Sequence, residues 1–115
     1  MAVSPRFKAF ALDLLGQVVP ITCCPMFGGL TFFHEGRAFA LADDDRLYLK
    51  VDDHNRGAFQ AAGSQPFLPF GDPERPMTYR EVPAEALEDP EALVPWVQGA
   101  LAAAARSPVR RRKQS

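Results

Sequence analysis

Two histidines in this 115-residue chain stand beside a carboxylate, His34 next to Glu35 and His54 next to Asp53, the pairing that general acid–base catalysis uses. Both pairs fall where the chain reads as a turn or a helix start, and polar residues are expected there for solvation alone. No G-x-S-x-G, H-E-x-x-H or cysteine–histidine framework accompanies them. No catalytic residue is therefore assigned, and a protein that is not an enzyme is expected. Asp43-Asp44-Asp45 could offer oxygens to Mg²⁺ or Ca²⁺, but the alternating ligands, central glycine and distant glutamate of a calcium loop are missing. A solvated hairpin turn is expected instead, with no metal and no cofactor. The cysteines, Cys23 and Cys24, are adjacent, so an ordinary disulfide between them is geometrically poor. They read as two reduced thiols, at least one of them buried.

Met26-Phe27-Gly28-Gly29 has the backbone freedom of an anion-binding glycine turn, yet lacks the lysine, hydroxyl and following helix of a P-loop. Gly28 and Gly29 are read as a structural turn or bulge. Tyr48 and Lys50 share one side of a strand, and Tyr79 with Arg80 lies in a later one. If those strands are neighbours, aromatic rings beside bases form a candidate recognition surface for a carboxylate, a phosphate or a partner protein.

The elements that must position these groups follow from periodicity and turn chemistry. Ser4-Pro5 is an N-cap followed by a first-turn proline, and Phe7, Phe10, Ala11, Leu14, Leu15 and Val18 trace one apolar helical stripe closed by Gly16 and Pro20. Short strands are expected at about residues 21–26, 30–34, 37–42 and 46–51, divided at Gly28-Gly29, His34-Glu35-Gly36-Arg37 and Asp43-Asp44-Asp45. Leu47, Leu49 and Val51 alternate with Arg46, Tyr48 and Lys50, which places the leucines in a core against the first helix.

Asp52 or Asp53 is expected to cap a second helix reaching about Ala62, with Ala58 and Phe59 buried and Gly63 as its left-handed stop. Four prolines between Gln65 and Pro76 leave room for a brief edge strand at Phe67, Leu68 and Phe70, and Met77–Val82 reads as a further strand. Asp89-Pro90-Glu91 opens a last helix that Pro95 should kink or delay, with Leu93, Val94, Val97, Ala100, Leu101 and Ala104 on one side. The order α-β(4)-α-β(2)-α defines an α+β fold: an antiparallel sheet of five or six strands with helices on one face.

Residues 1–106 are expected to form one domain and 107–115 a disordered basic tail. Arg106, Arg110, Arg111, Arg112 and Lys113 make up five of the 13 basic residues; the eight that remain face 14 acids, so the chain without those five carries about −6. A globally basic nucleic-acid-binding face on the body is not expected from that balance, and only weak, non-specific contact through Arg110, Arg111, Arg112 and Lys113 is expected. No apolar run nears the roughly 20 residues of a membrane span and no secretory signal pattern opens the chain, so a cytoplasmic location without membrane contact is expected.

Three runs, Met26-Phe27-Gly28-Gly29, Gly36-Arg37-Ala38-Phe39-Ala40-Leu41 and Arg46-Leu47-Tyr48-Leu49-Lys50-Val51-Asp52, occur in the order in which they stand in a known family. Asn55-Arg56 with Phe59, Met77–Pro83, and Leu87–Glu91 with Leu93, Trp96 and Ala100-Leu101 support them. Over roughly residues 5–105 the chain resembles the N-terminal domain of the TfoX/Sxy regulators of bacterial competence. Two positions depart from the pattern: Pro95 stands where relatives tend to place a helix former, and Cys23-Cys24-Pro25 where they often carry a basic residue.

The resemblance implies a two-layer α+β sandwich of the secretion-chaperone-like kind. In longer members this domain precedes a helix-hairpin-helix-like one, and those proteins activate DNA-uptake genes alongside the cyclic-AMP receptor protein. It implies no catalytic residues. The expectation is thus a stand-alone, non-catalytic domain that binds a protein partner of the transcription machinery, with homodimerisation as a companion expectation. A small-molecule or anion-binding module and an uncharacterised enzyme are the alternatives.

Overall fold

A computed structural model of the chain describes residues 3–26, 29–66 and 79–106. The expected strand at Phe67, Leu68 and Phe70, residue Gly28, and the basic tail with Arg110, Arg111, Arg112 and Lys113 lie outside these residues. The first helix, α1 (Pro5–Gly16), starts where Ser4 places its hydroxyl oxygen 3.1 Å from the Phe7 N–H. Four strands follow: β1 (Thr22–Met26), β2 (Gly29–His34), β3 (Arg37–Asp43) and β4 (Arg46–Lys50). A short helix α2 (Arg56–Ala61), strand β5 (Tyr79–Glu81), a one-turn helix α3 (Ala84–Leu87) and the long α4 (Pro90–Arg106) complete the order.

The five strands form one antiparallel sheet in sequence order. Two of the three expected chain reversals are two-residue loops with positive φ at each central residue: Glu35 (53°) with Gly36 (80°), and Asp44 (53°) with Asp45 (56°). Such turns match the right-handed twist of the strands they join. The Asp45 carboxylate also accepts the Ser4 N–H at 2.7 Å, tying this hairpin to the start of α1.

One face of the sheet carries the core. Leu30, Phe32, Phe39, Ala40, Ala42, Leu47, Leu49, Val51 and Val82 pack there with buried residues from all four helices: Leu14 and Leu15, Phe59, Ala86, and Leu93, Val97 and Ala100. The register slips between Phe32, opposite Ala40, and Phe33, opposite Ala38, leaving Phe39 as the extra residue of a bulge. That slip lets two consecutive residues, Phe39 and Ala40, both reach the core, which strict alternation would forbid.

Leu47, Leu49 and Val51 are buried as their spacing requires, but the backbone closest above β3 and β4 is that of α4 rather than α1. Other local expectations change too. Phe10 is 40% exposed and rests on Phe7, with ring centroids 5.7 Å apart, so it leaves the buried stripe. Ala58 is exposed while Phe59 is buried, because α2 touches the core through a single position. The N-cap of α2 is Asn55 rather than an aspartate, and its side chain turns back instead of capping.

Gly63 does end α2, at φ +78°, with its own N–H bonded to Gln60 and the Ser64 N–H bonded to the Phe59 carbonyl. This paired closure needs the left-handed conformation that glycine adopts without strain. Segment 64–66 then runs beside β5: the Glu81 N–H reaches the Gln65 carbonyl at 2.9 Å and Pro66 bridges Arg80. At the opposite margin of the sheet stands β1, where Pro25 removes a donor, a common device on edge strands.

One short helix was not expected. Pro83 ends β5 and stands at the N-cap position of α3, and Glu85 supplies an acid in its first turn. Then α4 runs unbroken through Pro95 instead of starting late. The proline withholds one N–H from the carbonyl of Glu91, and both residues are exposed, so water can satisfy that oxygen. Val94 and Leu101, expected on the buried side, are half-buried.

Candidate functional site

Three of the four residues of the expected recognition surface come together on the sheet face opposite the core. Tyr48 stands across from Leu41 on β3 and from Glu81 on β5, and Lys50 pairs with Tyr79. The Lys50 ammonium lies 5.2 Å from the centre of the Tyr79 ring, a cation–π arrangement. Leu41 and Tyr79 form a small buried cluster here, with Tyr48 packed against it. Tyr79 is only 6% exposed, so it supports Lys50 and is not itself a contact surface.

Arg80 parts from the group. It pairs with Leu49, a core residue, so strand alternation sends it to the helix-bearing side, where its guanidinium donates to the Ser64 carbonyl at 2.7 Å. The sequence spacing of 79 and 80 already required opposite faces; only the register, fixing which of them joins Lys50, was beyond reach.

Burial sets the electrostatics of this face. It pushes the Tyr48 and Tyr79 phenols above their ordinary range, with the negative charge of Glu81 adding to the effect at Tyr48. Both hydroxyls therefore stay protonated and able to donate. Burial pulls the Lys50 ammonium down, opposed by the nearby Asp52 carboxylate. Arg46 and Glu81 add a loose ion pair at 3.6 Å.

A second constellation, which sequence reading did not assemble, sits at the end of β4. Arg106 grips Asp52 with two parallel bonds, Nε to Oδ2 at 2.7 Å and Nη2 to Oδ1 at 3.0 Å. The same carboxylate accepts the His54 N–H at 2.9 Å. The guanidinium holds Asp52 well below the usual carboxylate range. Asn55 locks the loop: its carboxamide oxygen accepts the Asp52 N–H at 2.7 Å and its amide nitrogen donates to the Lys50 carbonyl at 3.1 Å. Gly99 of α4 faces that side chain, and a Cβ there would stand 3.4 Å from the Asn55 amide nitrogen, an ordinary contact. No signal in the sequence joins positions 52 and 106.

The remaining candidates have local structural roles. A Cβ on Gly29 would fall on the carbonyl oxygen of Ala42, so this position requires glycine for strands β2 and β3 to approach. His34 Nδ1 lies 2.7 Å from the Pro20 carbonyl and fastens the α1–β1 connection. The carboxylate near the His54 ring is Asp52, at 3.6 Å, whereas Asp53 pairs with Arg56 at 2.6 Å. Cys23 is half-buried against the core and Cys24 is exposed, so neither thiol is fully buried. Among the described residues no group of three or more histidine, cysteine or acidic side chains converges as metal ligands. A shallow pocket of about 230 Å³ lies between the end of α2, β5 and α3, and its Ser64 hydroxyl is spent on the Glu81 carbonyl at 2.6 Å. No helix among the described residues is long and apolar enough to cross a membrane.

Fold and surface together define a small α+β domain built on a five-stranded antiparallel meander. Residues 13–104 match the TfoX N-terminal domain, and the chain belongs to that family. No curated protein matches it.

Proposed function

We propose that this chain is a regulatory binding module, acting on a protein partner of transcription control, in the manner of competence regulation, rather than as a catalyst. The observation that carries this reading is the form of the Tyr48–Lys50 surface: half-exposed side chains on the sheet face opposite the core, with the Lys50 ammonium over the ring of the buried Tyr79. Aromatic side chains such as Tyr48 are enriched in protein interfaces.

The test is capture of partners from the native cell with full-length chain, comparing wild type with Tyr48→Ala and Lys50→Glu. Loss of the same partner from both folded variants is the expected result. Retention of every partner by both would remove the surface from the reading. The Lys50–Tyr79 arrangement also suits an anion, so calorimetric titration with small carboxylates and phosphate checks the second reading, an anion-binding module. Homodimerisation belongs to the same proposal, and sedimentation at high micromolar concentration decides it.

A further inference from the structure

We infer that the exposed flank of α1 is a self-association surface whose occupant is the same flank of a second copy, laid antiparallel about a two-fold axis beside Phe10. The inference rests on the homodimer proposed above, whose interface it names, and leaves the Tyr48–Lys50 surface to its own test.

Phe10 is the large apolar side chain that stands exposed among the described residues, and Phe7, packed on the core, braces its ring. Arg6, Asp13 and Gln17 share its flank, because steps of four, three and four residues keep positions 6, 10, 13 and 17 within about 60° around a helix. All four are exposed, whereas Ala11, Leu14 and Leu15 turn inward. Neither Arg6 nor Asp13 has an ion-pair partner among the described residues; the Asp13 carboxylate accepts the Gln17 amide at 3.0 Å.

The charges run against their own helix. Arg6 lies in the first turn, which holds no acid, and Asp13 in the last, which holds no base, although the helix dipole favours the reverse at each end. A second α1 laid antiparallel corrects both ends at once, since the first turn of each helix then meets the last turn of the other.

Seven residues separate Arg6 from Asp13, about 10.5 Å along the axis. A two-fold axis midway between them passes within about 1 Å of the level of Phe10. It therefore sets each Arg6 against the Asp13 of the second copy and brings the two Phe10 rings side by side. One flank thus carries both halves of the ion pair around an apolar centre, the self-complementarity that an isologous contact needs and that a foreign partner does not impose. A single helix flank per protomer is smaller than a standard interface, so a weak dimer is expected, dissociating at about 0.1 mM.

The test is sedimentation equilibrium of full-length chain at low salt, from low micromolar to millimolar concentration. Wild type is expected to dimerise, and Phe10→Ser to weaken the dimer by about tenfold. Arg6→Glu leaves both ends of the flank acidic and Asp13→Arg leaves both basic. Each should weaken self-association by about tenfold, because two exposed pairs turn from attraction to repulsion. Both substitutions suit the helix dipole, so neither should unfold the chain, which circular dichroism checks. An equimolar mixture of the two should regain association at about the wild-type level, because every contact between positions 6 and 13 is again of opposite charge. That rescue is the readout that a merely structural role of these residues would not produce. Unchanged dimerisation in all three variants overturns the inference while the homodimer stands. Weakening by both reversals without recovery in the mixture overturns the antiparallel pairing. Wild type that stays monomeric at millimolar concentration overturns the inference and the homodimer together, and the capture experiment still decides the Tyr48–Lys50 reading.

Discussion

Replacing Leu49 by alanine is the most direct probe of how β4 divides its two faces. Leu49 has no exposed surface, pairs with Ala40 on one side and Arg80 on the other, and lies in the strand pair covered by α4. Strands on both flanks prevent the site from collapsing, so the truncation should cost about 3–4 kcal/mol, in the upper part of the usual range for a buried leucine. With a urea dependence of about 1.5 kcal/mol/M for a chain of this size, the midpoint should fall by about 2 M. Lys50→Ala removes a half-exposed side chain and one cation–π contact, about 0.5–1 kcal/mol, and should move the midpoint by less than about 0.7 M. Trp96, the sole tryptophan, packs edge-on against Phe59 with centroids 4.7 Å apart, so its fluorescence reports loss of the core. Equal midpoint shifts for the two variants would refute the assignment of faces on which the surface reading depends.

Gly29→Ala should destabilise by about 2–3 kcal/mol, because the added methyl meets backbone that cannot rotate away. Gly57→Ala, on an open side of α2, should instead gain about 0.5–1 kcal/mol; urea melts of the pair separate close approach from simple helix propensity. The folded-state pKa of Asp52 is depressed, so its stabilising contribution is present above the unfolded value of about 4 and is lost as pH falls through the folded one. Thermal melts between neutral pH and pH 2 should therefore decline less steeply at the acid end for Asp52→Asn than for wild type. Phe10→Ser should change stability by less than about 0.5 kcal/mol, in contrast to Leu14→Ala on the same helix, and similar losses by calorimetry would place Phe10 in the core after all.

Local chemistry was legible wherever one short segment determined the outcome. Ser4 with Pro5 started α1, the Glu35-Gly36 and Asp44-Asp45 turns set the hairpins, and Gly63 stopped α2, because each depends on neighbours within a few residues. Alternation in β4 gave the right inward set for the same reason. Illegible features were those that two distant segments decide jointly. The Phe39 bulge exists only against β2, and α4 covers β3 and β4 through a match of surfaces that no periodicity encodes. Phe10 satisfied the helical stripe yet stayed exposed, since a stripe says which side of a helix is apolar and not how far its partner extends. Of the candidate surface, Tyr48, Lys50 and Tyr79 were brought together by strand register, and that same register sent Arg80 away.

The motifs that tie the chain to its family are mostly committed to architecture. Gly29 of the glycine pair is spent on the approach of β2 to β3, Leu47, Leu49 and Val51 on the core, and Asn55 on closing the loop after β4. Residues spent in this way transmit a fold, and a fold hosts many functions. Within the Arg46–Asp52 run, however, Tyr48 and Lys50 project away from that core, and Asp52 turns its carboxylate to a residue 54 positions later. Tyr48 and Lys50 stay half-exposed on the face away from the main core, where Tyr48 packs against Leu41 and Tyr79. If the proposed binding role is right, Tyr48 and Lys50 are the positions at which a substitution should leave the domain folded and still change partner capture.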